Sequence, residues 1–153
     1  MNDCWYACIQ MLLSWSEGEK AKPKGAAVAS HRDVWAFGRT LSFGSNQGHD
    51  VKRDNGLVSI GSSLDPSDIN SVHAILKKFG PFIVGGTYGP CGAGHFMVIC
   101  GVNTDTNMIY RDNPAWGYGK AWEKLSYLKK VWTVTGSSNV DHDSAVALKP
   151  IKK

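Results

Sequence analysis

Between residues 95 and 112 the sequence reads HFMVICGV-NTDT-NMIYRD. Two apolar runs of strand length flank a polar four-residue turn, and such a pattern folds back as an antiparallel hairpin. The run PFIVGG (81–86) stands just before it, and GKAWEKLS (119–126) and VWTVTG (131–136) follow with a helical turn at YLKK between them. The second half of the chain therefore reads as an antiparallel sheet. The first half has the other period. Cys4, Cys8, Met11 and Trp15, with Trp5 and Leu12 beside them, recur at helical spacing after Asp3, a residue suited to cap a helix. Ile9 and Leu13 widen the stripe, so this first helix should be largely buried.

SHRDVWAFG (30–38) predicts a short second helix, capped by Ser30 and stopped by Gly38. Residues 39–64 are rich in Gly, Ser and Asn and give no clear period, although LVSIGSS has the look of a short strand or a loop. DPSDINSVHAILKKFGP (65–81) is a helix by every local sign. Asp65 caps, Pro66 takes the first helical position, Ile69, Val72, Ile75, Leu76 and Phe79 form the stripe, and Gly80-Pro81 stops it. Helices first and strands second predict an α+β domain over residues 1–136, followed by a loosely ordered polar tail, 137–153.

The bulk numbers narrow the function classes. At 153 residues the chain is one domain with room for a core. A formal charge of +4 comes from scattered or end-loaded lysines, without a basic stripe interleaved with aromatics, so no nucleic-acid partner is expected. No apolar run approaches the ~20 residues that span a bilayer, and no basic-then-apolar leader is present, so no membrane insertion is expected. The four cysteines, Cys4 with Cys8 and Cys91 with Cys100, do not form the pattern of a disulfide scaffold and are read as mostly reduced thiols.

Cys4 is the residue with the most chemical promise. The amino end of a helix stabilises a thiolate through its free N–H groups and positive dipole end. His95 follows the Gly-rich segment PCGAG and opens a buried strand, a position from which a side chain can face a cleft. His31 and His73 fall on helical surfaces, and His49 and His142 among polar loop residues. A general base needs a partner for its second nitrogen, and the hairpin brings Asp112 and Asn113 of RDNP back beside His95. Strand parity decides between them. Pairing Val102 with Asn107 puts Asp112 on the face of His95, whereas pairing Asn103 with Asn107 puts Asn113 there. A rival use of the same residues is a zinc site from Cys4, Cys8, Cys91 and His95. It is disfavoured because Cys8 belongs to the buried stripe, and no metal or cofactor is expected. Gly85-Gly86 and YGPCGAG read either as a turn or as an open wall of the cleft, and Cys100 as core.

Together, NDCWYACIQMLLSW and GPFIVGG…GHFMVICGVNTDTNMIYRDNPAWG resemble the bacterial papain-like cysteine proteases, a group that includes effector proteases and double-glycine leader peptidases. The resemblance covers the first helix and residues 80–118. It implies a papain-like fold with Cys4 as nucleophile, His95 as general base and the residue before the proline, Asn113, as the orienting group in preference to Asp112. It also implies a protein substrate, cut beside small residues such as glycine. A toxin or effector role follows by the same analogy, with secretion or delivery into a target cell and an immunity or inhibitor protein as partner. An amidase, deamidase or transglutaminase using the same thiol, or an inactive binding module, are the alternatives. One departure stands out. The family usually supplies an oxyanion-hole glutamine before the cysteine, and loss of such a donor typically costs about a hundredfold or more. Only three residues precede Cys4. That predicts either a domain cut from a longer protein or a donor set made of the Cys4 N–H and a group near Asn2.

Overall fold

The computed structural model describes residues 4–32, 41–86, 95–115, 119–133 and 139–150. The apolar runs of the second half build the centre of a six-stranded sheet, and every pairing in it is antiparallel. In chain order the strands are β1 (Leu57–Ser59), β2 (Phe82–Gly86), β3 (His95–Asn103), β4 (Met108–Asn113), β5 (Gly119–Lys124) and β6 (Ala145–Leu148). They lie in the sheet as β1-β6-β2-β3-β4-β5. The helices are α1 (Cys4–Glu17), α2 (Ala26–Arg32), α3 (Asn46–Asp54), α4 (Ile69–Phe79) and α5 (Ser126–Trp132).

Strands β2 and β3 read as nearly continuous apolar runs because both faces of the sheet are covered at its centre. Phe82 and Val84 of β2 and Met97 and Ile99 of β3 point to one face, where α4 and α5 close the core with Val72, Ile75, Leu128 and Trp132. Ile83, Phe96, Val98 and Val146 point to the other, against α1 and its neighbours. There Trp5, Cys8, Ile9, Leu12 and Leu13 of α1 are all buried. At roughly 1.5–3 kcal/mol for each large apolar side chain removed from water, this face alone anchors α1 to the sheet. Trp15 departs from the expected stripe: it is 60 % exposed. Asp3 lies outside the described residues.

Local signals placed the elements well and their ends less well. Asp68, not Asp65, caps α4, accepting from the N–H of Asn70 at 2.9 Å. Asp65 instead accepts from Ser67 N–H at 2.9 Å and closes a turn around Pro66. Two aspartates three residues apart offered the same chemistry, and the turn took the first. Gly80 ends α4 with φ +82°, as the Gly-Pro stop requires. The second helix begins earlier than predicted, so Ser30 sits inside α2, where its Oγ donates to Ala27 O at 3.2 Å rather than capping. Residues 33–40 lie outside the described residues. Helix α3 has no sequence stripe because its buried side includes Gly48 and Lys52 beside Val51. Ser45 caps it, accepting from Gly48 N–H at 3.0 Å, and Lys52 Nζ reaches Ser59 Oγ at 3.1 Å. The expected strand VWTVTG is corrected in its first half: Leu128, Val131 and Trp132 form the buried side of α5 at helical spacing.

The larger correction concerns the tail. Residues 145–148, expected to be loosely ordered, form β6, which pairs with β1 on one side and β2 on the other. Ala145, Val146 and Ala147 are buried on alternating faces. Small side chains hid this strand, because Ala-Val-Ala carries little apolar bulk yet fits between covered layers. Among the described residues no helix is long and apolar enough to cross a membrane.

Ending the chain after Ser144 removes β6, which takes away the strand partner of β1 and leaves β2 paired to β3 alone. We expect the cooperative thermal transition to be lost, the full ~5–15 kcal/mol that holds a typical domain. A tail outside the fold would leave the melting midpoint unchanged.

Candidate active site

Cys4 is the first residue of α1 and is partly exposed, while Cys8, one turn later, is completely buried against the sheet. Helix α1 packs over β3, whose first residue is His95. Asn113 is the last residue of β4. His95 and Asn113 are 3 % and 4 % exposed, so their side chains meet away from bulk water. His95 Nε2 lies 2.5 Å from Asn113 Oδ1.

The hydrogen bonds around Asn113 fix the state of the imidazole. Ala115 N–H, just past Pro114, donates to Asn113 Oδ1 at 3.0 Å. A backbone N–H can only donate, so the atom it meets is the carbonyl oxygen and not the amide nitrogen. The His95 nitrogen facing that same oxygen must then donate as well. Nε2 therefore carries the proton, and in the neutral ring Nδ1 keeps the lone pair. The Asx turn across Pro114 thus sets the amide, and the amide sets the tautomer.

Which residue of RDNP reaches His95 is decided by a bulge. Next to the turn, Asn103 pairs with Met108 and Gly101 with Tyr110. Continued without change, that register would place Asp112 on the face of His95. The register shifts between Ile99 and Gly101, and beyond the shift Val98 pairs with Asp112. Cys100 is the extra residue, and its insertion exchanges the two faces of β4 relative to β3. Asn113 then falls on the side of His95, and Asp112 on the side of α1. Neither pairing weighed from the sequence occurs at the turn itself, but the bulge restores the parity of the Asn103–Asn107 alternative.

The neighbouring groups take structural places. Cys100 packs at the edge of the α1-side core, half-buried, with Sγ 3.5 Å from Tyr110 O. Burial pushes the Cys8 thiol well up from its ordinary pKa, and the nearby Cys4 and Asp112 push the same way. Burial also raises Cys100, aided by Asp112 and opposed by Lys120. Neither thiol ionises readily near neutrality. Gly85 and Gly86 are strand residues, not a turn. A Cβ on Gly85 would fall 2.1 Å from the Phe96 ring, and one on Gly86 2.3 Å from Val131 O, so close packing demands both. Gly86 pairs directly with His95. Arg111, buried two residues before Asn113, donates to Gly119 O at 2.5 Å and to Glu123 at 3.2 Å, tying β5 to the end of β4.

Among the described residues no cluster of three or more His, Cys, Asp or Glu could hold a metal ion. Cys91, Asn2 and the YGPCGAG loop from Tyr88 to Gly94 lie outside the described residues. His49 is in α3, not a loop, and is exposed. His142 opens a 3₁₀ turn, its Nδ1 3.0 Å from Gly61 O.

The thiols give two measurable consequences. Iodoacetamide near pH 7.5 should leave Cys8 unmodified in the folded protein and modify Cys100 slowly. Asp112→Asn should accelerate Cys100, as read by peptide mass spectrometry, and an unchanged rate would contradict the electrostatic assignment. For Cys8 the sign with pH follows from linkage. Its folded pKa is raised, so the unfolded chain releases the proton first, from about pH 8.5 upward. Stability held below that pH is lost above it, and Cys8→Ala should flatten the alkaline fall in urea midpoints.

No curated protein matches this chain. The family described as "Papain-like cysteine protease AvrRpt2" does: its model matches residues 1–129. That span takes in α1, the hairpin that carries His95 and Asn113, and most of α5. The chain belongs to the AvrRpt2 family of papain-like cysteine proteases, and is a hydrolase with a papain-like α+β fold.

Proposed function

We propose that the protein is an endopeptidase in which Cys4 is the nucleophile, His95 the general base and Asn113 the group that orients it. The bond from His95 Nε2 to Asn113 Oδ1, held in place by Ala115 N–H, is the observation that carries this reading. It leaves the lone pair on Nδ1, the nitrogen to which we assign the proton exchange with the Cys4 thiol. Cys4 has the chemical advantage over the other described thiols. It stands at the amino end of a 14-residue helix, whose positive dipole end favours the thiolate, whereas burial holds Cys8 and Cys100 protonated.

The reaction then runs in two halves. His95 Nδ1 accepts the Cys4 proton, and the thiolate adds to the carbonyl carbon of the scissile peptide. The imidazolium gives its proton to the leaving amine as the C–N bond breaks, and a thioester to Cys4 remains. His95 next takes a proton from water, the hydroxide adds to the thioester, and the acid and the free thiol are released. The backbone N–H of Cys4 is one donor for the oxyanion, in keeping with its place in the first helical turn. Through Asn113 the ring keeps one tautomer and one orientation during both halves.

The substrate is a protein, and by family resemblance the cut falls beside small residues such as glycine. We further propose that the protease works as an effector or toxin after delivery into another cell, and that a producing cell would hold a dedicated inhibitor. Expression inside target cells tests the delivery reading: the parent should be toxic or alter the proteome, and Cys4→Ala should not. If the two are equally toxic, the protease role in toxicity is wrong.

Site variants give the mechanistic test. Cys4→Ala should abolish the new N-termini that the parent generates in a target proteome. His95→Ala should lower kcat/KM by about 10²–10⁴-fold or more. Asn113→Ala should lower it by at least about tenfold, near 1.4 kcal/mol, while Asp112→Ala leaves it within a few-fold. The reverse ranking of these last two would transfer the orienting role to Asp112. Mass changes of a single side chain without chain cleavage would point to a deamidase or transglutaminase instead.

A further inference from the structure

The far end of α1 carries a feature that catalysis does not use. Trp15 lies 11 residues after Cys4, about 16 Å along the helix axis. It continues the apolar stripe of α1 but is 60 % exposed, one of two large apolar side chains left open among the described residues. Its ring rests on the stop of α4: a Cβ at Gly80 would fall 2.3 Å from Trp15 Cη2. Glycine at φ +82° therefore serves both the helix end and the seat of the indole.

Trp15 and Gly80 border a cleft of about 230 Å³, whose other apolar lining comes from Leu76, Phe79, Leu148 and Pro150. A dry cavity of about 150 Å³ holds a benzene ring, so this cleft has room for one large side chain. Its charged lining is of a single sign, from Lys77, Lys78 and Lys149, all exposed. Among the described residues none of the three is ion-paired with a carboxylate. Lys77 and Lys78 offset the partial negative charge at the end of α4, roughly half a unit. Three full positive charges exceed it.

We propose that this cleft is a docking site for an acidic protein segment that inserts one aromatic or large aliphatic side chain between Trp15 and Leu148 and sets flanking carboxylates on Lys77, Lys78 and Lys149. An apolar centre with a charged rim is the usual anatomy of a protein contact. Here the rim chooses the sign of the partner, and a concave floor suits an inserted side chain better than a flat lipid surface. The site stands apart from Cys4, so a bound partner leaves the reacting groups free. It would tether a substrate or a regulatory protein to the protease.

Binding is tested on full-length Cys4→Ala protein, so that the outcome does not depend on the proposed catalytic residues. The probe is a fluorescein-labelled, blocked pentapeptide with phenylalanine between two pairs of acidic residues, followed by anisotropy. Saturable binding is expected with a Kd of about 0.1–1 mM. It should weaken at least tenfold in Trp15→Ala and in the combined Lys77→Glu, Lys78→Glu, Lys149→Glu variant, and weaken as salt rises. The charge variant changes only exposed side chains, so it keeps the test decisive if Trp15→Ala misfolds. Equal binding of a peptide with lysines in place of the acidic residues would overturn the proposal. So would unchanged binding by the charge variant. Failure to bind the peptide, with or without sedimentation on phosphatidylserine vesicles, would also overturn it, and the vesicle result would mark the patch as a membrane contact.

Discussion

The arrangement of the site depends on one inserted residue. Cys100 breaks the register of β3 against β4, and everything beyond it on β4 presents the opposite face to β3 from the one the turn would dictate. A side chain in a strand has only two directions, so a slip of one residue is a complete exchange and not a small displacement. The exchange brings an amide, Asn113, to His95 and sends a carboxylate, Asp112, toward α1. An amide oxygen orients imidazole without adding a charge to a pocket from which water is excluded. A carboxylate in the same place would stabilise the imidazolium instead, with different consequences for thiol ionisation.

The exchange also explains why the cysteines differ. Asp112 now faces the side of the sheet that holds Cys8 and Cys100, and it raises the pKa of both. The same face supplies the burial that raises Cys8 furthest. Cys4 shares a helix with Cys8, but it is the first residue of that helix and is partly exposed. Two thiols one turn apart thus differ in burial, one open to solvent and one sealed against the sheet.

The covered sheet accounts for much of what pattern reading recovers and misses. Where strands carry large apolar side chains, as in PFIVGG and HFMVICGV, the apolar run is plain and the elements fall where expected. Where burial is achieved with small residues or with a lysine, the pattern fails. Strand β6 is Ala-Val-Ala-Leu, and α3 turns Gly48 and Lys52 inward, so neither carries the bulk that periodicity detects. Trp15 fails in the opposite direction. It keeps helical phase with the buried stripe, but the core ends before the helix does, and the indole emerges over Gly80.

By itself the sequence determined the helix that begins at Cys4, the hairpin that places RDNP beside His95, and the α+β order of elements. These follow from local spacing, from Gly-Pro and polar turn signals, and from the hydrophobic period, all of which act over a few residues. It could also bring Cys4, His95 and the Asp112-Asn113 pair to notice, because the chemistry of each residue type is its own. Only the tertiary structure decided which of that pair meets the imidazole, since a single extra residue in the ladder carries no mark in composition. The tertiary structure likewise decided that residues 145–148 belong inside the sheet. Their place is set by partners on β1 and β2, more than fifty residues away, and not by anything in their own short run.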